Sequence, residues 1–307
     1  MLSNFLSKTR PINYLMILLI LVIFFFVGVF TDDNLALNIS WFIKILINAT
    51  ALFFTVLLVN FVIRKNTLTK DNSYALFFMV MFFGMLPQTM TWSVLFLSNV
   101  FLLISLRRVY SLKNNGRIQI KVFDAGLWLG ISVLFYNNLI LFWIVILMGL
   151  VFYQRLNLKN VIISILGVAT PIFLYYVYRL TFDQLSDFNQ LFDLELDNSI
   201  VFYGKLSILI PISILISLLI WSGISITSGL HRISAKNRSS WFLMLFNLMI
   251  ASLISFMSIN KNGSELIFLF FPASVILANY LQKEKDKWFR NLVLYLVFFI
   301  GIGIYFL

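Results

Sequence analysis

The sequence predicts an all-α integral membrane protein, and three observations predict it. The first is composition. Of 307 residues, 61% are hydrophobic and only 11% are charged, against about 25% charged in an ordinary soluble domain. Such a chain cannot cover its apolar surface in water, so the bilayer is the solvent that suits it. The second is run length. The apolar stretches are continuous and of helix length, as from Ile12 to Phe30, whereas a barrel would show ~10-residue alternating segments. In lipid the backbone must satisfy its own hydrogen bonds, which leaves helices. The third is the placement of charge, taken up below.

About eleven transmembrane segments follow from the runs, within a single membrane domain spanning 1–307. They are 12–30, 40–63, 74–87, 91–106, 123–136, 138–154, 160–180, 201–226, 241–259, 266–282 and 291–307. The first run is longer than a signal-peptide core and no small-residue cleavage site follows it, so it reads as a retained helix. Pro87 breaks the third segment from the fourth, and Asn137 and Asn138 break the fifth from the sixth. Pro171, Pro211 and Pro272 fall inside later segments, where a kink is tolerated when the freed carbonyls find other partners. Tyr175, Tyr176, Tyr178 and the Trp residues near segment ends suit an aromatic belt.

With the N-terminus inside, the inner segments carry Lys8, Arg10, Arg64, Lys65, Lys70, Arg107, Arg108, Lys113, Arg117, Lys121, Arg155, Lys159, Arg232, Lys236, Arg238, Lys283, Lys285, Lys287 and Arg290. Only Lys44, Arg179, Lys205 and Lys261 of the 23 Lys and Arg residues fall elsewhere. This bias obeys the positive-inside rule and places the C-terminus outside. A missed or extra helix would invert every later loop. The net charge of +11 is then mostly topology plus attraction to anionic headgroups, with no case for nucleic acid.

Carboxylates show the opposite bias: Asp32, Asp33, Asp183, Asp187, Asp193, Glu195, Asp197 and Glu265 are all expected outside. In the outer loop 181–200, Phe188, Leu191, Phe192 and Leu194 are spaced like the apolar face of a short surface helix.

Several chemistries are excluded. There is no cysteine, hence no disulfide and no thiol site. His231 is the only histidine. The longest inner loop, about 107–122, has no room for a nucleotide fold and no Gly-rich phosphate motif appears. The segments hold almost no mid-membrane charge, which speaks against a proton-coupled pump.

What remains is a set of polar candidates at the outer ends. Asp32 and Asp33 follow the first segment, where a carboxylate can act as a base or hold a divalent cation. Lys44 stands near the start of the second segment, or on a surface helix over 35–45 preceding it. Asp124, at the start of the fifth segment, suits a helix cap. Gln88, Asn137, Asn138, Lys205 and Glu265 fall at comparable outer depth and could line a cavity. Arg179 is the best-placed guanidinium for a phosphate, which it can grip with two parallel hydrogen bonds.

The layout resembles a known family at several points. These are the acidic pair ending Phe30-Thr31-Asp32-Asp33, the hairpin at Gly84-Met85-Leu86-Pro87, and the stretch Asp124-Ala125-Gly126-Leu127-Trp128-Leu129-Gly130. Tyr153-Gln154-Arg155 and Leu269-Phe270-Phe271-Pro272-Ala273 follow in order. Together they resemble the membrane half of GT-C glycosyltransferases, which use polyprenyl-phosphate-linked sugars. The resemblance implies that Asp32 or Asp33 is the catalytic base or metal ligand. Two features depart from that family: the first outer loop is shorter, and Glu265 stands near where a basic residue often precedes the late proline-containing helix. The chain is also similar to multi-spanning inner-membrane proteins of Bacteroidota, which implies an envelope location and no particular activity.

The functional expectation is therefore a GT-C-like protein of the bacterial inner membrane that handles a polyprenyl-phosphate-linked sugar at the outer face. Asp32 or Asp33 would activate the acceptor, and Lys44 or Arg179 would hold the lipid phosphate. Two alternatives stay open: a non-catalytic membrane subunit of a secretion or motility complex with protein partners, and a lipid or small-solute transporter.

Overall fold

The computed structural model describes residues 2–30, 39–91, 93–182, 203–227, 235–258 and 261–307. All regular structure among them is helical. In chain order the helices are α1 Leu2–Leu6, α2 Pro11–Phe30, α3 Ile39–Lys65, α4 Tyr74–Met85, α5 Val94–Tyr110, α6 Ile118–Phe135, α7 Trp143–Phe152, α8 Leu158–Thr181, α9 Leu206–Thr227, α10 Ala235–Met257, α11 Ile267–Lys283 and α12 Lys287–Gly303. Nine helical stretches among the described residues are long and apolar enough to cross a membrane, and Tyr74–Met85 and Asn137–Phe152 are shorter apolar ones. A helix or helical stretch thus stands at each of the eleven apolar runs.

The chain forms two compact units, each assembled from separate stretches of sequence. One comprises residues 1–92, 201–234 and 261–307; the other comprises 93–200 and 235–260.

In the first unit α4 and α11 are the core. Every residue of α4 is buried, as is α11 from Ile267 to Leu281. A helix that is apolar on all sides belongs inside a bundle. This explains why α4 can be short. Its 12 residues span only ~18 Å at the α-helical rise, and its neighbours rather than lipid surround it. The Phe270 ring lies 5.6 Å from Phe82 and 5.2 Å from Phe83 between ring centres. Gly84 makes room for Phe24 of α2: a Cβ there would sit 2.4 Å from that ring.

The ends of the unit are tied by polar side chains. At one end Asn279 donates to the Leu68 carbonyl at 2.8 Å, and Asn72 donates to Gln282 at 2.9 Å. At the other, the 3₁₀ turn Pro87–Met90 packs on α2 and on the turn Ser264–Leu266.

The second unit is built on the contact of α6 with α8. Gly126 and Gly130 of α6 are four residues apart and face Gly167 of α8 and its neighbours. A Cβ on Gly126 would lie 2.5 Å from the Ser164 carbonyl oxygen, and one on Gly167 would lie 2.5 Å from the Phe123 carbonyl oxygen. The two backbones therefore touch, as small residues four apart allow in apolar surroundings. Hydroxyls tie α5 to α6: Ser105 donates to the Ala125 carbonyl and Ser132 to the Ser98 carbonyl, both at 2.7 Å.

One expectation is corrected here. Asp124 does not cap the fifth segment, because α6 begins at Ile118 and Asp124 lies within it. The early start follows from Lys121, whose ammonium donates to the carbonyls of Ser111 and Asn114 at 2.8 and 2.9 Å and so folds the basic stretch onto the preceding loop. Asp124 instead pairs with Arg108 at 3.0 Å.

Candidate functional site

At the end of the first unit where α2 and α4 finish and α9 and α11 begin, polar groups converge on Glu265. The sequence Asn262-Gly263 makes a turn: Gly263 has φ +94°, a conformation that favours glycine. The turn aims the Gly263 N–H at Glu265 Oε2, 3.0 Å away. Tyr203 donates its hydroxyl to Glu265 Oε1. Glu265 is 0% exposed, so these donors replace the water that its carboxylate loses. Tyr203 stands just ahead of α9.

Beside this corner lies the turn Pro87–Met90. Asn48 of α3 donates its amide to the Met90 carbonyl. The side-chain carbonyls of Asn48 and Gln88 are buried and accept no hydrogen bond from the described residues. The corner thus holds two buried side-chain carbonyls with no donor among the described residues, acceptors that a hydroxyl can satisfy.

Of the expected cavity residues, Gln88 and Glu265 are brought to this corner, with Lys205 exposed at the segment leading into α9. Asn137 and Asn138 belong to the second unit, where Asn138 donates to the Tyr136 hydroxyl at 3.1 Å. Lys44 lies exposed on a helix that runs unbroken from Ile39 to Lys65, so no separate surface helix reaches it. Asp32 and Asp33 lie outside the described residues, as does most of the acidic loop 181–200. The last described residue before the pair, Phe30, ends α2 at the corner, and a Cβ on nearby Gly28 would sit 3.7 Å from Pro87 and Met90. Among the described residues no three His, Cys, Asp or Glu side chains gather to hold a metal ion.

Arg179 belongs to the second unit. Its Nε donates to the Tyr175 hydroxyl at 2.7 Å, and the guanidinium lies 5.1 Å from that ring's centre. An apolar groove of about 620 Å³ runs along α8, lined among others by Trp143, Ile165, Val168, Ile172 and Tyr176. Arg179 is three residues past Tyr176 and seven past Ile172, on the same stripe of the helix.

Tyr203, Asn48 and Gly263 escaped the sequence reading. The signals were a polar residue inside the apolar run Ile47-Asn48-Ala49 and an Asn-Gly turn pair ahead of Glu265. Tyr203 reads as one more interfacial aromatic.

The fold and this corner define a polytopic helical membrane protein with a buried polar site at one end of its core. The chain belongs to the family described as a family of unknown function, DUF6427, whose model matches residues 1–307. No curated protein and no solved structure matches it.

Proposed function

We propose that this chain crosses the bacterial inner membrane eleven times, with its N-terminus in the cytoplasm, and handles a polyprenyl-phosphate-linked sugar at the outer face. The observation that carries the reading is the pair of buried, unpartnered carbonyls of Asn48 and Gln88 beside Glu265. Sugar hydroxyls are donors of the kind that the Asn48 and Gln88 carbonyls accept. Taken by itself, the second unit offers an apolar groove along α8 of the kind that suits an isoprenoid chain, and Arg179, on the same stripe of that helix, is a guanidinium that suits a phosphate.

In this account Asp32 or Asp33 takes the proton of the acceptor hydroxyl. The freed oxygen forms the new bond to the anomeric carbon, the bond from that carbon to the phosphate oxygen breaks, and polyprenyl phosphate leaves with the electron pair. Fixed positive charge near the departing phosphate is what speeds such a step in a water-poor site.

The test is release of polyprenyl phosphate by the purified chain in nanodiscs supplied with polyprenyl-phosphate-linked sugar and acceptor glycan. The Asp32→Ala/Asp33→Ala double variant should lose it. Undiminished release by that variant, expressed at normal level, sinks the assignment. One observation favours the alternative of a non-catalytic envelope subunit: both Glu265 oxygens are already bonded within the chain. Pull-down of a fixed set of membrane proteins, with no turnover, would select it.

A further inference from the structure

The opposite end of the first unit holds a second polar site, unrelated to the sugar reading. A pocket of about 220 Å³ opens where α3 ends and α4 begins, over a floor of Ile63, Ala75 and Leu76. We infer that this pocket, whose walls include Thr9, Asn60, Arg64, Thr69, Lys70 and Asn72, binds a phosphate group.

Three features point there. The first is the lining chemistry. Two cations, hydroxyls and amides are the donors that phosphate oxygens take, and Asp71 is the one carboxylate among them. The Asp71 carboxylate lies 3.9 Å from Arg64 with both side chains largely exposed. Lys70 pairs with no carboxylate among the described residues.

The second is the local field. Lys8 and Arg10 flank Thr9 in the chain, and both are exposed. Together with Arg64 and Lys70 of the lining they set four cations against the one carboxylate, Asp71. Such a concave, positive surface concentrates anions.

The third is preorganisation. The loop between α3 and α4 is polar and would be mobile if left alone, yet it is pinned at several points. The Lys70 N–H and the Asn72 amide both donate to Gln282, at 3.2 and 2.9 Å. Asn279 holds the Leu68 carbonyl, and the Ser73 N–H donates to the Leu6 carbonyl at 3.0 Å. Within the loop Thr67 has φ +50°, a conformation that β-branched residues rarely adopt and that marks sites where the backbone is held for a purpose.

The charge bias puts this end in the cytoplasm. The phosphate can come from the headgroup of an anionic lipid in the inner leaflet or from a soluble phosphomonoester, and one experiment separates them. The full chain is placed in phosphatidylcholine nanodiscs and titrated calorimetrically with inorganic phosphate. In parallel, native mass spectrometry counts phosphatidylglycerol retained from mixed nanodiscs. Binding in at least one arm should fall by about tenfold or more in Arg64→Gln/Lys70→Gln, which removes two charge-assisted contacts. Lys65→Gln should leave it within about twofold, because that ammonium lies over the Phe61 ring instead of lining the pocket. Asp71→Asn should tighten it, a gain that a misfolded variant cannot give.

Sensitivity in the lipid arm alone identifies a headgroup site, and sensitivity to inorganic phosphate identifies a site for a soluble ligand. No binding in either arm overturns the inference, as does a loss in Lys65→Gln equal to that of the double variant.

Discussion

Gly126→Ala should destabilise the protein, although alanine is the better helix former. The added Cβ would lie 2.5 Å from the Ser164 carbonyl oxygen and 3.0 Å from the Val168 nitrogen, both backbone atoms that no rotamer change can move. Ordinary contact begins near 3.4 Å, so α6 and α8 must separate by roughly 0.9 Å. A gap of that size forfeits a quarter to a half of each dispersion contact across the interface. Overpacking of this kind costs about 1–3 kcal/mol, and the helix propensity gained on leaving glycine returns about 1 kcal/mol. The net loss should be up to ~2 kcal/mol, and larger for Gly126→Leu. Gly223 of α9 is the control, because a Cβ there meets nothing within 4 Å. Gly223→Ala should be neutral or stabilising by up to about 1 kcal/mol. SDS-induced unfolding in mild-detergent micelles, followed by tryptophan fluorescence, reads both. Equal or greater stability of Gly126→Ala would refute the backbone-to-backbone account of this interface.

Three further outcomes follow from named contacts. Glu265→Leu should destabilise more than Glu265→Gln, because leucine strands both the Tyr203 hydroxyl and the Gly263 N–H while glutamine keeps one acceptor; unfolding midpoints of the two variants give the order. Ser132→Ala removes one interhelical hydrogen bond to Ser98 and should cost about 0.6 kcal/mol, with the same unfolding assay as readout. Asp124→Asn breaks the pair with Arg108, which is partly exposed on both sides, and should shift stability by less than about 1 kcal/mol; a larger loss would mean that the pair is shielded from water.

Most of the helical layout was legible because apolar runs of bilayer length have few other uses. Even the two short segments were visible, since Pro87 and the Asn137-Asn138 pair interrupt runs that would otherwise read as long helices. The start of α6 was not legible. Its first turns, Ile118-Gln119-Ile120-Lys121, are amphipathic and break the hydropathy signal, and what holds them helical is a set of contacts to the preceding loop. Gly126 and Gly130 drew notice as part of a family-like motif, but their physical role is the approach of α8, which is remote in sequence from any local pattern.

The candidate site divided the same way. Glu265 and Gln88 were visible as polar residues at the ends of apolar runs. Their partners Tyr203 and Asn48 were not, because a tyrosine at a helix end and an asparagine in an apolar run have commoner explanations. The division into two units was invisible: residues 93–200 join 235–260 across an intervening stretch that belongs to the other unit. Such pairings are set by packing at long sequence separation.

The most direct test of the central claim is a cryo-EM map of the chain in lipid nanodiscs with an added polyprenyl-phosphate-linked sugar, read at the corner of Glu265, Gln88 and Asn48. The account predicts density for a hydroxyl-bearing group within hydrogen-bond distance of the Gln88 and Asn48 side-chain carbonyls. A closed corner, with those carbonyls satisfied by the chain itself and no added density, would contradict it.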